Sequence, residues 1–278
     1  MKSCERTNPW RQKGRFLLRY AYCGVRLPRI MLLAPLSKAG RAFLKDLSVL
    51  LGWPYPKPPA AIAKIPLDEV LPEGGACRIL APVAANGNIS LLELLCIAGL
   101  VTRHRPKRLF EIGTFDGRTS LNLIANAPQD ARLWTLDLPP QDVENTVYRL
   151  DEGEKAFVRK IQSGSRFLSD PHRDRIVQIY ADSGQYDPGE LAGTMDMVFV
   201  DGSHTYDYVL SDTRLALRLL GRSGVIIWHD YDSVWPDVTD ALNGVYRDET
   251  RLNSLRSIEG TSLAFAVVSP EAPGRKTT

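Results

Sequence analysis

An α/β fold with a mainly parallel sheet is predicted by three features of this sequence. Apolar segments with strand character alternate with amphipathic segments of helical period, which is the pattern of βαβ units. The strand segments are short and continuously apolar, as expected where helices cover both faces of a sheet. Acidic residues recur where these segments end, the edge at which parallel sheets bind ligands. The acids are Glu111, Asp137, Asp182, Asp201 and Asp230.

The predicted elements follow one another from Asn88 onward. N-cap residues at 88–90 introduce the first of four helices, predicted over 91–102, 118–126, 206–220 and 238–246. Seven strands are predicted, over 108–112, 133–137, 176–180, 195–200, 224–228, 255–258 and 263–268. The last two strands flank Glu259-Gly260 and are interpreted as a terminal hairpin.

The chain of 278 residues has room for an α/β domain of about 200 residues and an N-terminal extension. Residues 1–60 form this extension, which is basic, is expected to be helical in part, and ends in the Pro-rich linker 54–59. Residues 61–278 form the α/β domain. The extension could cap the domain or act as an oligomer arm, so a homo-oligomer is one expected assembly.

The amino-acid composition of the chain limits the kinds of partner and the cellular compartment that we expect for the protein. The net charge of +3 gives no general argument for nucleic acid as a partner. Residues 16–36 are apolar in parts, but three arginines make a stable membrane span implausible, and an amphipathic helix packed on the protein is favoured over a membrane-surface helix. Four cysteines lack metal-site spacing and are expected to be reduced, as in a cytoplasmic protein. They are Cys4, Cys23, Cys77 and Cys96.

A glycine turn follows the first predicted strand of the domain and opens a helix. It contains Glu111, Gly113, Thr114, Phe115 and Gly117. The two glycines lack a Cβ and would let the backbone approach a ligand. Phe115 stands where a dinucleotide fingerprint needs glycine, and the Gly-Lys-Ser/Thr ending of a phosphate loop is missing, so a pyrophosphate has a poor cradle here. A neutral thioether carrying an α-amino acid group needs no such cradle.

Two further acids would complete a nucleoside site. Asp137 ends the second strand, about 20 residues after the turn, where a carboxylate can accept hydrogen bonds from both ribose hydroxyls. Asp182 and Ser183 end the third strand and could meet the adenine amine. The alternative for Asp182 is a helix cap or turn residue without a ligand.

The motif Glu111-x-Gly-x-x-x-Gly117 with Asp137 resembles motifs I and II of the class I S-adenosylmethionine-dependent methyltransferases. Residues 86–268 are similar to one group among them, the metal-assisted small-molecule O-methyltransferases that include macrolide-sugar methyltransferases. The resemblance implies a Rossmann-like sheet of seven strands with an antiparallel last strand. It also implies S-adenosyl-L-methionine as cofactor and a small hydroxylated metabolite, a sugar or natural product, as substrate.

A catalytic cluster is expected beyond the fourth and fifth strands, which would be neighbours. Asp201 and His204 match the Asp-x-x-His motif of the macrolide-sugar methyltransferases, and the resemblance makes Asp201 a metal ligand and His204 the base. Asp201 is also expected beside the cofactor. A divalent metal lowers the pKa of a bound hydroxyl, and a histidine can then remove the proton. The alternative for His204 is a histidine at a helix start without chemistry.

The residues after the fifth strand depart from that resemblance. An acidic pair is implied there, whereas this chain has His229 and Asp230. Mg²⁺ prefers oxygen ligands, and two carboxylates with one imidazole suit Mn²⁺, Fe²⁺ or Zn²⁺ as well. A metal site is therefore predicted at Asp201, His229 and Asp230, with Mg²⁺ or Mn²⁺ as candidates. His229 could instead orient the substrate or be a satisfied residue at a strand end.

Segment 138–172 is too long for a plain connection and is expected to cover the cofactor or the substrate. Three basic residues in it, Arg159, Lys160 and Arg166, are interpreted as a solvated face, with contact to an acidic substrate as the alternative. Three functions other than a metal-assisted O-methyltransferase stay open at this point. They are a metal-independent methyltransferase with His204 as base, a non-catalytic binding protein that retains the fold, and a nicotinamide dehydrogenase. The missing glycine of the dinucleotide fingerprint argues against the dehydrogenase.

Overall fold

The computed structural model of the protein describes residues 57–71, 76–160 and 162–269. The predicted helical character of the N-terminal extension, the segment 16–36, Cys4 and Cys23 lie outside these residues. Cys77 and Cys96 are free thiols. Cys96 is fully buried and acts as a small core residue.

The described residues form eight strands and five α-helices, numbered here in chain order. The strands are β1 (Lys64–Ile65), β2 (Arg108–Ile112), β3 (Arg132–Asp137), β4 (Ile176–Tyr180), β5 (Met195–Val200), β6 (Leu220–Trp228), β7 (Arg256–Ile258) and β8 (Ala264–Val268). The helices are α1 (Leu91–His104), α2 (Arg118–Asn126), α3 (Glu152–Lys160), α4 (Tyr206–Leu219) and α5 (Pro236–Asp248). The four predicted helices and seven predicted strands are all present.

One sheet contains all eight strands in the order β1-β7-β8-β6-β5-β2-β3-β4. Strand β8 runs antiparallel to both β6 and β7, so the predicted terminal hairpin is confirmed. The other pairings are parallel. The prediction of seven strands was short by one, because the two-residue strand β1 adds to the edge beside β7. The Rossmann-like, mainly parallel architecture is confirmed.

Helices cover the sheet on both faces, and two apolar clusters form the core. One cluster joins the central strands to α4 and α5 and contains Phe110, Val198 and Trp228. The other joins the same sheet to α1 and α2 and contains Leu100, Leu109 and Phe199. Neighbouring residues such as Leu109 and Phe110 belong to different clusters because successive side chains of a strand point to opposite faces. This burial on both faces explains the continuously apolar strands.

The first helix begins with a capping box. The Ser90 hydroxyl accepts a hydrogen bond from the Glu93 backbone amide, and the Glu93 carboxylate accepts one from the Ser90 amide. The predicted N-cap is therefore confirmed at Ser90. None of the helices in the described part of the chain is long and apolar enough to cross a membrane.

Candidate active site

The carboxyl ends of the central strands meet along one edge of the sheet. Ile112 of β2 pairs with Val200 of β5, and Val200 pairs with Trp228 of β6. This register places the residues that follow β5 and β6, Asp201 and His229, side by side. The sequence analysis expected the fourth and fifth strands to be neighbours, and parallel neighbours end at the same edge.

The three residues predicted as metal ligands lie close together in the structure. They are Asp201, His229 and Asp230. One ligand atom from each lies within 4.8 Å of the other two. His229 Nδ1 is 3.0 Å from Asp201 Oδ1 and 3.2 Å from Asp230 Oδ2. Asp230 has a left-handed backbone with φ of 64° directly after the strand. Aspartate tolerates this conformation better than most residues. Two carboxylates and one imidazole are donors that a divalent transition metal accepts.

His204 lies beside this group. Its Nε2 is 2.9 Å from Asp230 Oδ2, and its ring stacks on the Trp235 indole with centroids 4.2 Å apart and planes 11° apart. Burial alone would lower the pKa of His204, but the hydrogen bonds to Asp230 and Glu154 outweigh it and raise the pKa to about 9. Trp235 therefore contacts the predicted base.

Sequence reasoning missed two glutamates of this site. Glu93 Oε2 is 3.5 Å from His229 Nε2, and Glu154 Oε1 is 3.0 Å from His204 Nδ1. Each histidine therefore lies between carboxylates on both of its ring nitrogens. Hydrogen bonds and attraction from His229, together with hydrogen bonds from Ser262, hold the pKa of Glu93 far below its usual range against the opposing effect of burial.

The site has more negative charge than its own cations can balance. Four carboxylates surround two imidazoles, so two negative charges remain even when both imidazoles are protonated. These six side chains are all 24% exposed or less. Like charges in such a partly buried cluster repel one another strongly, which makes a divalent cation a fitting occupant. The charged residues are Glu93, Glu154, Asp201, His204, His229 and Asp230.

The glycines of the predicted cofactor turn allow close packing within the chain. Gly113 has φ of 94°, and a Cβ added there would lie 1.9 Å from the Asp201 carbonyl oxygen. Gly117 has φ of 84°, and an added Cβ would lie 2.6 Å from the Phe167 ring. The absent Cβ atoms thus let the turn pack against the end of β5 and against Phe167. The sequence analysis expected these glycines to let a ligand approach the backbone. In the structure they let parts of the same chain pack against each other.

The remaining residues of the turn form a buried polar cluster. Glu111 Oε2 accepts hydrogen bonds from the Ser120 and Thr135 hydroxyls, and Thr135 Oγ1 lies 2.6 Å from Thr114 Oγ1. Glu111 Oε1 has no hydrogen-bond partner, and burial raises the pKa of this carboxyl to about 8. Phe115 has a left-handed backbone with φ of 50° at the position where the dinucleotide fingerprint has glycine.

Asp137 lies at the carboxyl end of β3, as predicted. Burial raises the pKa of this carboxyl to about 6, although the backbone amides of Thr114, Leu138 and Phe115 favour its charged form. Two of these amides belong to the glycine turn, so Asp137 and the turn face the same space. An acceptor beside backbone donors is suitable for the hydroxyls of a ribose.

Asp182 is buried and engaged within the protein. Its carboxylate accepts hydrogen bonds from the Tyr208 hydroxyl at 2.8 Å and from the backbone amides of Val147 and Gly184. Such contacts are those of a turn residue, the alternative considered from sequence. Ser183 follows it and is only partly buried. Contact of either residue with adenine stays a prediction.

Segment 138–172 lies against both halves of the site. Glu154 of this segment contacts His204, and Arg166 donates to Asp116 of the glycine turn at 2.6 Å. The backbone amide of Gly164 donates to the Phe115 carbonyl. Arg159 pairs with Glu144. Both Arg159 and Arg166 therefore have acidic partners within the protein, whereas the Lys160 side chain lies outside the described atoms.

Comparison with known proteins adds two findings. Residues 110–231 match the family model described as a methyltransferase domain. This range begins in β2, includes the glycine turn and Asp137, and ends just after Asp230. A search of curated protein sequences finds no match to the chain.

Solved methyltransferase structures are similar to this chain. The SAH-bound methyltransferase PaMTH1 of Podospora anserina aligns with a TM-score of 0.50 at 17% identity, over 67% of this chain and 81% of that one. The O-methyltransferase TomG of Streptomyces achromogenes, in complex with SAM, aligns with a TM-score of 0.45 at 19% identity, over 66% and 82% of the two chains. An O-methyltransferase of Bacillus cereus, in complex with SAH, gives 0.47 at 16%, over 66% and 84%. Residues 110–231 are thus similar to a methyltransferase domain, and the fold of the chain is shared with the SAH-bound methyltransferase PaMTH1.

Proposed function

We propose that this protein is an S-adenosylmethionine-dependent O-methyltransferase of a small hydroxylated metabolite, a sugar or another natural product. We further propose that Asp201, His229 and Asp230 hold Mg²⁺ or Mn²⁺ and that His204 is the base. The proposal of a metal site rests on the excess of two negative charges in this partly buried cluster of side chains. The carboxylate–imidazole donor set fits a divalent cation.

The residues of the chain have distinct tasks in this reaction. S-Adenosylmethionine supplies an electrophilic methyl group, and a divalent cation at the three ligands lowers the pKa of an adjacent hydroxyl. Asp137 accepts hydrogen bonds from the ribose, and Glu111 Oε1 is an acceptor without a partner in the protein. His204, in its neutral form, would take the proton of the acceptor hydroxyl at Nε2 as the oxygen attacks the methyl carbon and S-adenosylhomocysteine leaves. Because hydrogen bonds to Asp230 and Glu154 outweigh burial and raise the pKa of His204 to about 9, this neutral form is the minor one at pH 7. Holding the reacting atoms close and aligned provides much of the rate.

Binding of Mn²⁺ tests the metal site without knowledge of the acceptor. Calorimetric titration of the protein with Mn²⁺ should give one site, which Asp201→Ala and Asp230→Ala remove while affinity for S-adenosylhomocysteine stays nearly unchanged. Asp240→Ala, an exposed acid on α5, is the matched control and should bind Mn²⁺ like the wild type. Equal Mn²⁺ binding by wild type and both site variants would contradict the assignment.

A metal-independent reaction is the second candidate. It is favoured by one observation: the ring nitrogens of His204 and His229 already face carboxylates, so the cluster has internal partners without a cation. Methyl transfer from labelled S-adenosylmethionine to a panel of sugars and phenols separates the two. Activity that survives chelator but not His204→Ala supports the metal-independent reaction, whereas activity restored to chelated protein by Mg²⁺ or Mn²⁺ supports the metal.

A further inference from the structure

Glu154 has an unusual concentration of contacts with the residue proposed as base. Its Oε1 accepts a hydrogen bond from the His204 backbone amide at 2.7 Å and lies 3.0 Å from His204 Nδ1. The Ser203 hydroxyl donates to the same oxygen at 3.0 Å. The Glu154 side chain is only 10% exposed. One carboxylate oxygen thus fixes both the backbone and the ring of His204.

The other oxygen of Glu154 fixes the start of a helix. Oε2 accepts a hydrogen bond from the Asp151 backbone amide at 2.8 Å, and the Asp151 carbonyl accepts the first intrahelical bond of α3 from Lys155. A glutamate three residues after the N-cap that bonds back to the N-cap amide is half of a capping box. Glu154 therefore links the beginning of α3 to His204.

The remaining contacts of the His204 ring complete its orientation. Trp235 stacks on one face of the ring, and Asp230 faces Nε2. Because Nδ1 lies against Glu154, Nε2 is the nitrogen on the side of the strand ends, beside Asp230. Removal of the Glu154 carboxylate would leave Nδ1 without its partner and open to water, although Trp235 and Asp230 still contact the ring.

We propose that Glu154 is the positioning residue of His204: it holds the Nδ1–H group, so that Nε2 is presented to the acceptor hydroxyl. This assignment rests on the proposed function for the role of His204, but not for the contact itself. It also gives segment 138–172 a task beyond covering the site, since this segment carries the group that orients the base.

Nuclear magnetic resonance of the imidazole protons tests this positioning in the full chain without turnover. In the ¹⁵N-labelled wild type, the His204 Nδ1 proton should be protected from water and shifted downfield, with His204→Ala providing the assignment. In Glu154→Ala the signal should exchange with water and broaden beyond detection. Glu154→Gln keeps an oxygen acceptor and should restore the signal with a smaller downfield shift, because a neutral acceptor makes a weaker hydrogen bond.

Glu152→Gln is the matched control on the same helix. Glu152 contacts Lys155 and its side chain is 63% exposed, so its loss should leave the His204 signal unchanged. A persisting Nδ1 signal in Glu154→Ala would overturn the proposal. Equal loss in Glu152→Gln would also overturn it, because general order of the helix would then hold the ring. Absence of methyl transfer would contradict the proposed function and leave this measurement intact.

Discussion

Asp137 gives cofactor binding a predicted pH dependence. Burial raises the pKa of this carboxyl to about 6, so it is charged above that pH and neutral below it. Only the charged form is a strong acceptor for ribose hydroxyls. The affinity for S-adenosylhomocysteine is expected to be micromolar, or about 8 kcal/mol. The contribution of Asp137 to this affinity should be constant above pH 7. Below pH 6 the affinity should fall by up to about tenfold per pH unit, as calorimetry can measure.

The variant Asp137→Asn isolates this carboxylate. It keeps the shape of the side chain but has no charge to lose, so its affinity should be weaker by about 1–3 kcal/mol at pH 8 and nearly independent of pH. Wild-type affinity that stays constant from pH 5 to pH 8 would show that Asp137 does not contact the cofactor through its charged form.

The sequence could predict Asp201, His204, His229 and Asp230 because strand ends that meet at one edge follow from strand order. It could not predict Glu93 and Glu154, since a surface helix start also favours glutamate three residues after its N-cap. The available signal was Ser90-x-x-Glu93 and Asp151-x-x-Glu154. Only the docking of each helix start against a histidine distinguishes these glutamates from ordinary caps.

Among the elements, the strands with continuous apolar runs were the most predictable. Strands β2, β4 and β5 begin and end at the predicted residues. Strand β6 begins four residues before the predicted start, because Leu220 pairs with Met195 ahead of an irregularity in the register. Strand β1 has two residues and no period of its own. Its conformation depends on pairing with β7, which local sequence does not encode.

The glycine turn between β2 and α2 should be sensitive to a single methyl group. Gly113→Ala puts a Cβ on a left-handed backbone, at a cost of about 1–2 kcal/mol. It also forces that atom against the Asp201 carbonyl, for which overpacking adds about 1–3 kcal/mol. Gly260→Ala, with φ of 76° and its nearest neighbour at 3.7 Å, has only the first cost. Urea unfolding should therefore show a clearly larger loss of stability for Gly113→Ala, and equal losses would contradict the packing argument.

Across the whole domain, the strands of the sheet and the starts of the helices contribute different residues to the candidate site. The sheet brings Asp201, His229 and Asp230 together through strand register, which is rigid because both faces are buried. The starts of α1 and α3 then supply Glu93 and Glu154 to the two histidines. The proposed ligands thus follow strands of the sheet, whereas the glutamates that face the two histidines come from helix starts.

The boundary between the N-terminal extension and the domain gives the last prediction. Lys57 pairs with Asp232 at 2.6 Å, the Asn243 amide donates to the Pro59 carbonyl, and the Ile62 amide donates to the Tyr231 hydroxyl. Within the described part of the chain, these contacts already include Lys57 and Pro59, which lie inside the predicted extension 1–60. We expect a chain that begins at Lys57 to unfold cooperatively and to bind S-adenosylhomocysteine like the full chain.

A chain that begins at Asp68 is the informative comparison. It lacks β1 and the buried side chain of Ile62, so the Tyr231 hydroxyl loses one hydrogen bond and the edge of β7 is uncovered. Burying such an aliphatic side chain contributes about 1.5–3 kcal/mol, and each kcal/mol corresponds to roughly 2–4 °C in a domain of this size. Its melting temperature should therefore be several degrees lower than that of the chain from Lys57. Aggregation or loss of cofactor binding by the chain from Lys57 would instead make residues 1–56 part of the folding unit.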